Sequence, residues 1–128
     1  MSKNREFDII VYGASGFTGR LVAEYMQGQY GRSVNWAMAG RSADKLAEVR
    51  DLIGADKDTP LVVADASDPA SVRAMVARAS VICTTVGPYQ LYGSDIVAAC
   101  AELGTDCVDL SGEPGWMHEM IGAHDAAA

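Results

Sequence analysis

Five times along this chain of 128 residues, a short apolar run gives way to a stretch with helical spacing. The runs are Phe7–Tyr12, Val34–Ala39, Leu61–Ala64, Val81–Thr85 and Asp106–Leu110. Most are nearly continuous in apolar residues, as strands buried on both faces are. Strands separated each time by a helix must run parallel, because parallel neighbours need a crossover connection. The alternation predicts an α/β fold: a Rossmann-like, doubly wound parallel sheet in three layers, truncated after about five strands.

The helices have their own signals. The first runs from Phe17 to about Gln27, with Leu21, Val22, Tyr25 and Met26 on one face, and the cluster Gly28 to Ser33 breaks it. Ser42 can cap the second, whose face is Leu46, Val49 and Leu52 or Ile53, and Gly54 stops it. Asp68-Pro69 reads as an N-cap followed by proline at the first helical position, with Val72, Met75, Val76 and Ala79 buried. Val86 to Gly93 reads as a loop. A helix then opens at Ser94 or Asp95 and closes at Gly104. A last one begins near Pro114, with Trp116 and Met120 one turn apart.

Seventeen acidic residues against ten basic ones leave a net charge of −7, and the bases are scattered. That excludes a general nucleic-acid surface, which needs clustered Lys and Arg. The longest uncharged run, Ala79–Ser94, is too short and too polar to span a bilayer. The first eight residues mix both signs of charge and do not read as a signal peptide. The cytoplasm is the expected location. Cys83, Cys100 and Cys107 form no CxxC pair and read as reduced, buried thiols. His118 and His124 do not share a helix face, so no metal site is expected.

In an open parallel sheet the ligand lies beyond the carboxyl ends of the strands, where the strand order reverses. After the first strand stands Gly13-Ala14-Ser15-Gly16-Phe17-Thr18-Gly19, a GxxGxxG turn into a helix. Gly13 takes the tight turn, Gly16 admits a pyrophosphate and Gly19 lets helix and sheet pack. The free N–H groups of the helix start meet the phosphate charge. After the second strand, Arg41 and Ser42 stand where NAD-selective sites carry a carboxylate. A guanidinium there pairs with a 2′-phosphate, which predicts NADP. Lys45, one turn on, could add to the phosphate site or simply be solvated.

Asp65 and Ala66 follow the third strand. Asp65 is either an adenine contact or a turn residue. Thr85, Gly87 and Pro88 follow the fourth, near where the nicotinamide ribose belongs. Tyr89 and Tyr92 read as packing residues. Glu113 faces the cleft or simply favours a helix start. No tyrosine is followed four residues later by lysine, which argues against a complete short-chain dehydrogenase. No catalytic residue is assigned.

Taken together, Tyr12–Gly19, Ala39-Gly40-Arg41-Ser42, Thr84–Tyr89 with Tyr92-Gly93, and Asp109–Glu113 resemble the N-terminal domain of saccharopine dehydrogenase-like oxidoreductases. The nearest branch is the actinobacterial trans-acting enoyl reductase type. The resemblance implies an NADP-binding domain of a reductase acting on an enoyl or carbonyl group of a small, lipid-like molecule. It also implies a C-terminal domain that supplies the substrate pocket and often the oligomer interface. The chain stops before a sixth strand, so we expect residues 1–128 to be the N-terminal part of a longer protein. A homodimer is a further expectation. The competing reading is a non-catalytic NADP-binding redox sensor or interaction module.

Overall fold

The computed structural model describes residues 5–87, 89–110 and 112–127. The chain alternates β1 (Phe7–Tyr12), α1 (Phe17–Tyr30), β2 (Trp36–Gly40), α2 (Ala43–Leu52), β3 (Leu61–Val63), α3 (Pro69–Val76) and β4 (Ala79–Thr84). It continues with a one-turn helix α4 (Tyr89–Tyr92), then α5 (Ser94–Leu103), β5 (Asp106–Val108) and α6 (Pro114–His124). The five strands form one sheet in the order β3-β2-β1-β4-β5, and every pair is parallel. The chain winds outward from β1 to β3, then crosses to the other side of β1. The order therefore reverses between β1 and β4.

Alternation along β1 builds two cores, because neighbouring side chains in a strand point to opposite faces. Ile10 and Tyr12 join Val72, Met75, Ile82, Ile96 and Ala99 on the face covered by α3 and α5. Val11 joins Ala23, Met26, Trp36, Met38, Leu46 and Val49 on the face covered by α1 and α2. The result is a three-layer, Rossmann-like α/β sandwich. The fully buried Trp36 keeps its indole N–H satisfied on the Gly31 carbonyl at 2.9 Å.

Several local expectations fail for identifiable reasons. Leu21 and Tyr25 are 47% and 60% exposed, and it is Gly19, Ala23 and Met26 that face the sheet. Two small residues let α1 lie close to β1, which bulky ones would prevent. Tyr25 instead meets Tyr30 edge to face, ring centroids 6.4 Å apart. The helix runs through Gly28 and ends at Gly31, at φ 53°. Of the alternatives Leu52 and Ile53, Leu52 is exposed and Ile53 packs against the core on that face. Val86 to Gly93 is not all loop, since it contains α4.

The Asp68 carboxylate makes no capping bond. The Ser71 hydroxyl closes this turn, donating to the Asp68 carbonyl at 2.8 Å. Ser42 does cap α2, accepting from the Lys45 N–H at 3.3 Å. Cys100 is buried, but Cys83 and Cys107 are only half-buried.

Arg5, just before β1, is a tie between layers. Its guanidinium donates to the carbonyls of Val76, Ala77 and Ala79, to the Leu103 carbonyl and to the Thr105 hydroxyl. Among the described residues, no helix is long and apolar enough to cross a membrane, and no cluster of three or more His, Cys, Asp or Glu could hold a metal ion.

Candidate cofactor cleft

The carboxyl ends of β1 to β4 converge on a cleft of about 610 Å³. That size suits a large organic ligand. Its floor is the β1–β4 junction. The Thr85 N–H and hydroxyl both reach the Tyr12 carbonyl at 3.0 Å, locking the end of β4 to the end of β1. The Gly13 and Ala14 N–H groups bond the Ala39 carbonyl, locking β1 to β2.

The three motif glycines have distinct environments. Gly13 sits at φ 87°, and a Cβ there would stand 2.6 Å from the Thr85 hydroxyl. Gly19 is pressed against the Gly13 carbonyl and 2.9 Å from the Ala14 Cα, measured from where its Cβ would be. The fold itself demands both. Gly16 is different. Its backbone is extended, at φ −84° and ψ 174°, and its nearest neighbour would be 3.4 Å from a Cβ. Nothing in the chain requires glycine there, whereas a ligand lying on the backbone would. Gly16 is also the N-cap of α1, with no side-chain cap and no acidic residue in the first turn. The positive end of the helix is therefore left to an anion.

The far wall is the β2–α2 turn. Arg41 is exposed, Ser42 half-buried, and both line the cleft together with Lys45. Asp65 is the third charged residue of the lining, so the cleft is net positive within a chain of net charge −7. The Asp65 carboxylate accepts from the Ser67 N–H at 3.0 Å and the Ser67 hydroxyl at 2.9 Å. Those bonds, with Arg41 as a smaller contribution, hold its carboxyl below the usual carboxylate range. Tyr12, buried at the cleft floor, is pushed up to about 12, mainly by burial and then by the Asp65 charge, with Arg41 opposing. Its hydroxyl is thus neutral at physiological pH.

Of the residues singled out in the sequence, Gly13, Ser15, Gly16, Arg41, Ser42, Asp65, Ala66, Thr85 and Gly87 meet around this one cleft. Phe17 and Thr18 do not line it. They stand exposed on the first turn of α1, and Gly19 is turned inward. Pro88 lies outside the described residues, as does Ser111. Glu113 stands at the N-cap of α6 and is not part of the lining. Tyr12, Gly40, Lys45, Ser67, Val86 and Tyr92 also line the cleft. Tyr12 and Gly40 end strands, so their place at the cleft follows from the rule that located the others. Lys45, in the first turn of α2, lines the cleft beside Arg41 rather than standing in open solvent.

Residues 9–128 match the family model described as the saccharopine dehydrogenase NADP-binding domain. The chain belongs to this family. It is the NADP-binding domain of an oxidoreductase, and its cofactor is NADP. The domain is 49% identical over 125 residues to a trans-acting enoyl reductase of Mycobacterium leprae, covering 97% of this chain and 30% of the relative. It is 53% identical over 110 residues to a trans-acting enoyl reductase of Mycobacterium tuberculosis, covering 85% of this chain and 26% of the relative. The chain thus spans less than a third of the length of these relatives.

Among solved structures the domain resembles apo saccharopine dehydrogenase (L-Glu forming) of Saccharomyces cerevisiae. The TM-score is 0.69 at 18% identity, over 88% of this chain and 23% of that one. It also resembles the triphenylmethane reductase of Citrobacter sp. complexed with NADP(H). There the TM-score is 0.67 at 20% identity, over 94% and 44% of the two chains. These likenesses are of fold. The accessible Gly16 backbone at the start of α1 and the Arg41–Ser42–Lys45 wall fit the NADP-binding domain on this chain's own geometry.

Proposed function

We propose that the cleft holds NADP(H) along the strand ends. The backbone of the Gly13–Gly19 turn, which includes Ser15, Phe17 and Thr18, would receive the pyrophosphate. Arg41 and Ser42, with Lys45, would receive the 2′-phosphate. Adenine would lie by Asp65 and Ala66, and the nicotinamide end by Thr85, Gly87 and Pro88. NADPH supplies a hydride when bound. The domain's own residues orient the cofactor and balance its charge. Thr85 and Gly13 hold the floor rigid, and Gly16 keeps the backbone accessible.

The observation that carries this reading is Gly16, which brings bare backbone to the cleft wall at the N-terminus of α1, where the chain itself leaves room for a Cβ. The whole protein would reduce an enoyl or carbonyl group of a small, lipid-like substrate, in a pocket supplied by a C-terminal domain. Relatives named enoyl reductases, more than three times as long as their match to this chain, support that reading. The protein would work in the cytoplasm. A second copy would add at the exposed β5 edge, and a monomer alone in light scattering at high concentration would set the dimer aside.

The test is thermal unfolding with NADPH and, separately, with NADH. At a hundredfold excess over Kd, binding adds about 2.7 kcal/mol. A rise in Tm with NADPH and not with NADH is the expected result. No rise with either would overturn the proposal for the isolated domain.

A further inference from the structure

A second cavity of about 390 Å³ lies between α5, β5 and α6 and shares no lining residue with the cofactor cleft. Two cysteines line it. Cys100, on α5, is 3% exposed, and Cys107, on β5, is half-buried. Both side chains face this one cavity and belong to the same apolar cluster, across the short turn that joins α5 to β5. Their mutual interaction lowers the pKa of Cys107 and raises that of Cys100, which makes Cys107 the readier thiolate. The turn between them is fixed by Gly104 in the left-handed region and by the Thr105 N–H on the Cys100 carbonyl at 3.0 Å.

The third thiol is excluded by the register of the sheet. Cys107 pairs with Ile82, and Cys83 is the next residue along β4. Neighbours in a strand face opposite ways, so Cys83 lies across the sheet from the pair. Ile82, Cys100 and Cys107 accordingly share one apolar cluster that Cys83 does not join.

We propose that Cys100 and Cys107 form a reversible dithiol–disulfide pair, oxidised by a hydroperoxide that enters through the cavity between α5, β5 and α6. The Cys107 thiolate attacks the peroxide oxygen, the O–O bond breaks, and Cys107 becomes a sulfenic acid as the peroxide leaves as water or an alcohol. Cys100 gives up its proton and attacks the Cys107 sulfur. The S–S bond forms and the sulfenic oxygen leaves as water. Two thiols are oxidised by two electrons in all, and two equivalents of a small thiol such as glutathione reverse the step. The bond would tie the three-residue edge strand β5 to α5.

The test is a thiol map. The reduced chain is treated with hydrogen peroxide, alkylated, and cleaved on the N-terminal side of aspartate. That separates Cys83, Cys100 and Cys107 into peptides 68–94, 95–105 and 106–108. The expected product links 95–105 to 106–108, leaves Cys83 alkylated, and is lost on adding glutathione. Both cysteines alkylated, a link that includes Cys83, or a link only between two chains would overturn the proposal. In Cys107→Ser, Cys100 should be recovered alkylated, and a Cys83–Cys100 link there would overturn it too.

Discussion

The Arg5 guanidinium and the Thr105 hydroxyl, 100 residues apart in sequence, meet at 3.0 Å. The same guanidinium takes up the carbonyls that end α3 and α5, those of Val76 and Leu103. Arg5→Ala removes all five of its bonds at once. It leaves the part-buried Leu103 carbonyl without this partner, while the Thr105 hydroxyl still reaches the Val76 and Ala79 carbonyls. We expect a loss of about 2–4 kcal/mol, since an unpaired buried polar group costs more than its bond contributed. Urea unfolding should show a lower midpoint at unchanged slope.

Gly19→Ala should also destabilise, by at least about 1–3 kcal/mol, because its methyl would meet the Gly13 carbonyl and Ala14 backbone. The cost falls on the helix–strand contact, so it should appear in unfolding without any cofactor present.

Gly16→Val should separate binding from folding. Its Cβ has room within the chain, so unfolding in the absence of ligand should shift by no more than about 1 kcal/mol. NADPH affinity should fall at least ~tenfold, or about 1.4 kcal/mol. Calorimetric titration reads the second effect. An unchanged affinity would remove the pyrophosphate from this turn.

Arg41→Ala should act on the 2′-phosphate alone. A hydrogen bond to a charged group is worth about 1.5–3 kcal/mol, so NADPH should bind roughly ten- to a hundredfold more weakly. NADH affinity should barely change. Equal losses for both would move Arg41 from the 2′-phosphate to the shared pyrophosphate.

Tyr12 sets a pH limit. Its phenol titrates at about 12 in the fold, against an ordinary value near 10. Between those values the unfolded chain releases this proton and the folded chain keeps it. The unfolded state then binds fewer protons, so stability declines as pH rises from about 10 to 12. Tyr12→Phe should flatten that slope, as read by urea midpoints across the alkaline range.

The sheet was legible because most strands are apolar runs closed by a turn residue, and the cleft because its residues follow those runs. What was not legible involved either small side chains or the backbone. Ala23 and Gly19 bury α1 without an apolar signal strong enough to outweigh Leu21 and Tyr25. Arg5 bonds four carbonyls and one hydroxyl, and carbonyls carry no sequence signature. The α4 helix is only four residues long, too short for a period to show. Asp68 does stand at the N-cap of α3, but its carboxylate makes no capping bond, and the Ser71 hydroxyl bonds its carbonyl instead.

The position of β1 in the middle of the sheet matters during synthesis on the ribosome. The strand made first is the one that ends with neighbours on both sides. β2 is complete at Gly40, but the neighbour on the other flank starts only at Ala79. At roughly 5–20 residues per second, that flank stays open for about 2 to 8 seconds after β2 has emerged. Until then the nascent sheet presents a bare apolar strand, a template for any passing chain. The interval is one in which chaperones would be expected to attend this protein.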